Sequence, residues 1–221
     1  MPKSSRILIT SGPTREYLDP VRFLTNASSG RMGAALAEAV LEHGDVPVVV
    51  SGPVARVYPE NAEVHRVETT EQMLRCCESL FSDCEGVIGA AAPCDFKPII
   101  FSEQKLTKSD SPREFLLRLE PTPDILAALG RRKRPDQWIL GFALETQHGP
   151  ENAQEKLRRK NCNLIVLNGP ESVDQEDAMV EVFDAFGNRV RVLTGTKRQI
   201  AAELLTLTKT LVPSPLGRGV G

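Results

Sequence analysis

Short apolar runs alternate with helix-patterned segments along most of this chain, and that alternation restricts its fold more than any other feature. Arg6–Thr10 (RILIT), Val46–Val50 (VPVVV), Val64–Val67, Gly86–Ala90 (GVIGA), Trp138–Ala143 and Leu164–Leu167 read as strands. Helix patterns fall between them at Gly30–Glu42, closed by Gly44, at Glu71–Leu80, from Thr122 onward, and at Glu151–Lys160. Thr122 can cap its helix, with Pro123 at the first helical position. The pattern predicts an α/β fold: a Rossmann-like parallel sheet with helices on both faces. It is interrupted once, where Asp95–Glu120 carries β-like pieces at Gln104–Lys108 and Phe115–Leu119 around a Ser109-Asp110-Ser111-Pro112 turn. This reads as an inserted flap or hairpin over about residues 97–120. Val180–Phe183 and Val190–Leu193 flank Phe186-Gly187-Asn188, the signal of a C-terminal β-hairpin, and Thr196–Thr208 is a closing helix. One domain over residues 1–212 and a loose tail over 213–221 are expected, with no internal repeat.

Composition removes several function classes. With 27 Lys and Arg against 29 Asp and Glu the net charge is −2, so no broad basic footprint for nucleic acid exists and any anion site is local. Aromatic residues at 5% argue against base-stacking platforms. Met1–Arg6 is short and polar, and no apolar run approaches the roughly 20 residues of a membrane span, so neither secretion nor a membrane is expected. Cys76, Cys77, Cys84, Cys94 and Cys162 form no CxxC pair, and no histidine stands at metal-ligand spacing from them. That is the pattern of a reduced, cytoplasmic protein.

The strongest chemical signal lies between the first strand and the first helix. In an open α/β sheet the ligand sits outside the carboxyl ends of the strands, and the first loop delivers phosphate to a helix N-terminus. Ser28, Ser29 and Gly30 stand where that helix begins, and Gly33 allows close contact between helix and sheet. An isolated Ser-Ser-Gly reads first as an ordinary helix cap. A dinucleotide reductase would need GxGxxG directly after the strand and an acid at the end of the second strand. Neither is present, because Gly12 and Gly30 are far apart and the second strand ends in Val50-Ser51-Gly52-Pro53. Asp19, Arg22 and Asn26 place an acid, a fixed cation and an amide in one short span beside the helix start, although each alone reads as a loop hydrogen-bonder.

Several separated segments, in order, resemble one family. They are Ile9–Glu16 (ITSGPTRE), Asp19–Asn26 (DPVRFLTN), Ser28–Gly33 (SSGRMG), Ala90–Phe96 (AAAPCDF), Lys105–Lys108 (KLTK), Pro123–Leu126, Gly141–Thr146 (GFALET), Lys156–Lys160 and Ile165–Asn168. Together they are similar to phosphopantothenoylcysteine synthetase (phosphopantothenate–cysteine ligase), the C-terminal synthetase domain of the DNA/pantothenate metabolism flavoproteins. The resemblance implies a ligase that joins 4′-phosphopantothenate to L-cysteine in coenzyme A biosynthesis. A nucleoside triphosphate with Mg2+ would activate the carboxylate as an acyl-nucleotide, CTP being favoured over ATP. It implies that Asn26 and Lys105 are catalytic, and that Arg22, Asp19, Asn26 and Ala92 handle substrate. Ser28, Ser29, Gly30, Ala91, Asp95, Lys105, Phe142, Lys156 and Lys160 would bind nucleotide. Lys156 and Lys160, four apart, also read as a solvated basic helix end.

Thr107, Pro93, Cys94 and Asn163 depart from the family pattern, and Cys94 reads as a buried small hydrophobe rather than a nucleophile. His43, His65 and His148 fall outside the motifs and are assigned no role. A homodimer is implied. The chain's length and start suggest a stand-alone ligase or a separated ligase half, without flavin, whose product would pass to a separate decarboxylase. The rival readings are an NAD(P)-dependent reductase and a catalytically silent nucleotide-binding sensor.

Overall fold

The computed structural model describes residues 4–107, 115–144, 149–169 and 175–211. In chain order the first half comprises β1 (Arg6–Ser11), β2 (Arg15–Tyr17), β3 (Phe23–Thr25), α1 (Arg31–Glu42), β4 (Val46–Ser51), β5 (Glu63–Arg66), α2 (Thr70–Phe81) and β6 (Gly86–Gly89). The second half follows with β7 (Phe96–Pro98), β8 (Leu119–Pro121), α3 (Ile125–Arg132), β9 (Trp138–Leu144), α4 (Gly149–Arg159), β10 (Leu164–Asn168), β11 (Asp177–Asp184), β12 (Arg189–Thr196) and α5 (Lys197–Leu211). Among the described residues, one sheet runs β12-β11-β10-β9-β6-β1-β4-β5. The strands from β5 to β10 pair in parallel, whereas β11 and β12 join antiparallel. The sheet is therefore mixed rather than wholly parallel, because the C-terminal hairpin adds to its edge instead of standing apart.

Strand residues alternate between two cores, as the period of two requires. Ile7, Ile9, Val49, Ile88, Leu140 and Val166 pack under α1 and α5. Leu8, Val48, Val50, Val87, Ile139 and Ile165 pack under α2, α3 and α4. Burying each such side chain contributes about 1.5–3 kcal/mol before entropy is charged against it. Helix α2 starts at Thr69, whose side chain accepts from the Gln72 N–H in a full capping box.

Three local expectations change. The cap of α3 is Asp124, which accepts from the Ala127 N–H at 3.0 Å. Thr122 is occupied elsewhere, donating to the Cys94 carbonyl. Among the described residues the inserted flap is paired only at its base, by β7 with β8, so Gln104–Thr107 and Phe115–Arg118 are not strand, and the Ser109–Pro112 turn and Lys108 lie outside the described residues. The third change is an unexpected hairpin, β2 with β3, within the first connection. His148 and the tail over 213–221 also lie outside the described residues.

Helix α1 meets the carboxyl end of β1 with no room to spare. A Cβ added at Gly33 would sit 2.0 Å from Ser11 Oγ and 2.4 Å from its Cβ. Gly33→Ala is expected to destabilise the fold by about 1–3 kcal/mol through overpacking. Urea unfolding checks this, and an unchanged midpoint would contradict the close docking of α1.

Candidate active site

Helix α1 leaves β1 on one face of the sheet and α3 leaves β6 on the other. Between such strands the connecting loops diverge and open a crevice at the carboxyl ends. A cavity of about 550 Å³ fills it. Its near wall is Asn26, Ser28, Ser29 and Gly30 from the first connection. Ala91, Ala92 and Asp95 follow β6, and Phe142 and Lys156 come from β9 and α4. Nine of the residues picked from sequence thus line one space.

The near wall is locked to the loop after β6. Asn26 Nδ2 donates to the Pro93 carbonyl at 2.9 Å and to that of Ala92 at 3.4 Å. The Ala92 N–H donates to the Gly12 carbonyl at 2.9 Å. Gly30 is the N-cap of α1, with φ +73°, a conformation that side chains with a Cβ resist. No side chain caps this helix by a hydrogen bond, and its first turn holds no acid. The ordinary-cap reading of Ser28 and Ser29 therefore fails, and the positive end of α1 faces the cavity. Arg31, Lys156 and Lys197 supply three cations to the described lining, against the single carboxylate of Asp95. The arrangement suits a polyanion.

Four residues from the sequence reading lie elsewhere. Lys160 lines a smaller adjoining cavity of about 240 Å³ and pairs with Asp124 Oδ2 at 3.2 Å, so its charge is already countered. Asp19 and Arg22 pair with each other at 3.0 Å and do not line the main cavity. Lys105 is exposed beside Leu106, which both of them hold, and is not part of the lining either. Sequence reasoning missed Arg31, Asn168 and Lys197. Arg31 and Lys197 are the first residues of α1 and α5, and Asn168 ends β10, so each sits at the carboxyl edge of the sheet. That edge position was the available signal.

The sequence of residues 3–211 matches the family described as the DNA/pantothenate metabolism flavoprotein C-terminal domain. The chain belongs to that family. It is 36% identical over 208 residues to the coenzyme A biosynthesis bifunctional protein CoaBC of Bacillus subtilis, covering 92% of this chain and 50% of that protein. It is 38% identical over 212 residues to a cysteine/cysteine sulfinic acid decarboxylase of an unknown prokaryotic organism, covering 94% of this chain and 58% of the relative. The chain thus spans about half the length of the curated relatives it matches. The crystal structure of the C-terminal domain of a CoaBC superposes with a TM-score of 0.79 at 36% identity, covering 95% of this chain and 96% of that one.

Two departures from the family pattern acquire physical accounts. Asn163 Oδ1 accepts from Lys133 Nζ at 2.9 Å and from the Ile139 N–H at 3.0 Å, fastening the start of β9 to the turn before β10. Cys94 is a buried junction. Its N–H donates to Thr14 Oγ1 at 2.8 Å, and its thiol lies 3.5 Å from the carbonyls of Thr14 and Leu24. Burial pushes the Cys94 thiol up, outweighing the Thr14 hydrogen bond, so it stays protonated and un-nucleophilic.

Burial likewise raises Cys84 to about 11, Cys162 to about 12 and Cys77 further still. Unfolded thiols titrate near 8.5, so above that pH the unfolded chain sheds protons that the folded chain keeps. Stability is expected to be unaffected by these groups below about pH 8.5 and to fall as pH rises toward the folded values. Urea midpoints between pH 7.5 and 10.5 test this. Replacing Cys77, Cys84 and Cys162 by Ala should flatten the decline, and an equally steep one would assign it to other groups.

Proposed function

We propose that this chain joins 4′-phosphopantothenate to L-cysteine in coenzyme A biosynthesis, using a nucleoside triphosphate, with CTP favoured over ATP. The observation that carries the reading is the uncapped N-terminus of α1 facing a cavity with three cations, in a family whose curated relatives include coenzyme A biosynthesis proteins. A carboxylate is a poor electrophile. Its attack on the α-phosphorus expels pyrophosphate and leaves a mixed anhydride, from which the cysteine amine displaces the nucleoside monophosphate.

In this reading Gly30 and the first amides of α1, with Ser28 and Ser29, receive the triphosphate. Lys156, Arg31 and Lys197 balance its charge, and Phe142 and Ala91 border the base. Asn26 and Ala92 meet the acyl group. Asn26 is held rigidly by two carbonyls, which favours orientation of the reacting centre over mere binding. Lys105 would complete the charge balance. Among the described residues no cluster of three or more His, Cys, Asp or Glu could cage a metal. One carboxylate, Asp95, fits Mg2+ that is held mainly by phosphates. When bound, Mg2+ would neutralise charge developing on the transferring phosphate.

The exposed apolar side chains Ile99, Ile100, Phe101, Phe115 and Leu116 on the flap favour a homodimer. The free thiols favour the cytoplasm, and no described helix is long and apolar enough to cross a membrane. A decarboxylase acting on phosphopantothenoylcysteine would consume the product. The reductase reading is disfavoured because β4 ends at Ser51, with no acid there for a ribose.

Pyrophosphate should be released only with phosphopantothenate and a nucleoside triphosphate together, and cysteine should complete turnover. Side-by-side assays with CTP and ATP should show the faster rate with CTP. Oxidation of a reduced nicotinamide, with no ligation under either nucleotide, would overturn the ligase reading. Asn26→Asp should let the acyl-nucleotide accumulate, as seen by mass spectrometry of quenched mixtures. Unchanged product formation would remove Asn26 from the mechanism.

A further inference from the structure

Asp19 lies in the Gly12–Gly30 connection with its carboxylate fully buried. Its two oxygens do different work. Oδ1 accepts from the N–H groups of Val21 and Arg22, both at 2.8 Å, and closes a local turn. Oδ2 accepts from the N–H of Leu106, 87 residues away, at 3.1 Å, and from Arg22 Nη1 at 3.0 Å. Arg22 Nη2 then donates to the Leu106 carbonyl at 2.8 Å. One acid–base pair thus holds both polar groups of the Leu106 residue. A second tie, from the Ser102 N–H to the Leu18 carbonyl at 2.9 Å, fixes the other end of the same flap segment.

The local turn needs only Oδ1, and a neutral Asn serves such turns equally well. The charge, the second oxygen and the guanidinium are surplus to it. What they hold is the residue directly after Lys105, whose Cα is one peptide bond, about 3.8 Å, away. Burial by itself would raise the Asp19 pKa, but the Val21, Arg22 and Leu106 N–H groups and the Arg22 charge draw it below the ordinary value. The pair therefore persists throughout the neutral range, and its stabilising effect is lost only as pH falls through that lowered value.

We propose that Asp19, together with Arg22, is a positioning residue for Lys105, fixing the Leu106 backbone so that the Lys105 ammonium is presented to the phosphates of the reacting nucleotide. The role rests on the ligase reading above. Asp19 and Arg22 then act on the substrates through Lys105 rather than by touching them.

The test is a double-mutant cycle on the full chain, combined with hydrogen exchange at the Leu106 amide. Asp19→Asn keeps the Oδ1 acceptor and turns an amide donor toward Leu106 and Arg22. It should speed Leu106 exchange and lower kcat by about a hundredfold, the scale of a 1 Å misplacement. In a Lys105→Ala background the same change should cost nothing more, because residues acting through one group are not additive. If Lys105→Ala makes no measurable product, Lys105→Arg serves as the background. If Asp19→Asn fails to fold by circular dichroism, Arg22→Gln replaces it, since the Oδ1 turn is then left intact. An equal loss in both backgrounds, or Leu106 protection unchanged from wild type, overturns the positioning role. Absence of phosphopantothenoylcysteine with the wild-type chain overturns the ligase reading itself, and the positioning role with it.

Discussion

The segment from Gly12 to Gly30 must satisfy its buried backbone without a helix or a full sheet ladder, and the geometry of the cavity depends on how it does so. An unpaired buried polar group costs about 1–3 kcal/mol, so each must find a partner. Thr14 Oγ1 meets Thr70 Oγ1 at 2.8 Å and takes the Cys94 N–H, while Thr25 Oγ1 donates to the Thr14 carbonyl. Glu16 accepts the Thr70 N–H at the start of α2, and the Arg15 N–H reaches the Glu68 carbonyl. These stitches run to segments that precede α2 and follow β6. The connection is thereby a shared wall between two loops rather than a free one, and Asn26 inherits its fixed position from that.

The layer architecture was legible because it rests on repetition. Every long apolar run became a strand of the main sheet, since a strand buried on both faces needs apolar residues at successive positions. Short elements were not legible. β2 and β3 have three residues each and are held by contacts to distant chain, such as the Arg15 N–H donating to the Glu68 carbonyl at 2.8 Å. Capping of α3 failed for a related reason. Thr122 and Asp124 both suit a cap by type, and the choice falls to Cys94, whose carbonyl engages Thr122.

Of the cavity wall, Asn26, Ser28, Ser29 and Gly30 were legible from their place before a helix start, whereas Ala91, Ala92, Asp95, Phe142 and Lys156 were reached through the family resemblance. Lys160 illustrates the limit. Its spacing of four from Lys156 suggested a shared face, but it lies just beyond α4 and is drawn to Asp124, which caps α3 with one oxygen and pairs with the other. Charge partners across elements are set by packing, and spacing along one helix does not encode them.

The C-terminal hairpin has a part in the site that its edge position hides. By extending the sheet antiparallel it turns the chain so that α5 packs against α1 on the same face. Ile200, Ala201, Leu204 and Leu205 are buried there beside Ala34, Leu36 and Val40. This docking sets Lys197, the first residue of α5, at the cavity near the N-terminus of α1, while Ala178 and Val180 of β11 form part of the same wall. A near-neutral chain can thus gather cations in one crevice without drawing on its basic run, Arg131-Arg132-Lys133-Arg134, because the sheet edge brings them in from separate elements.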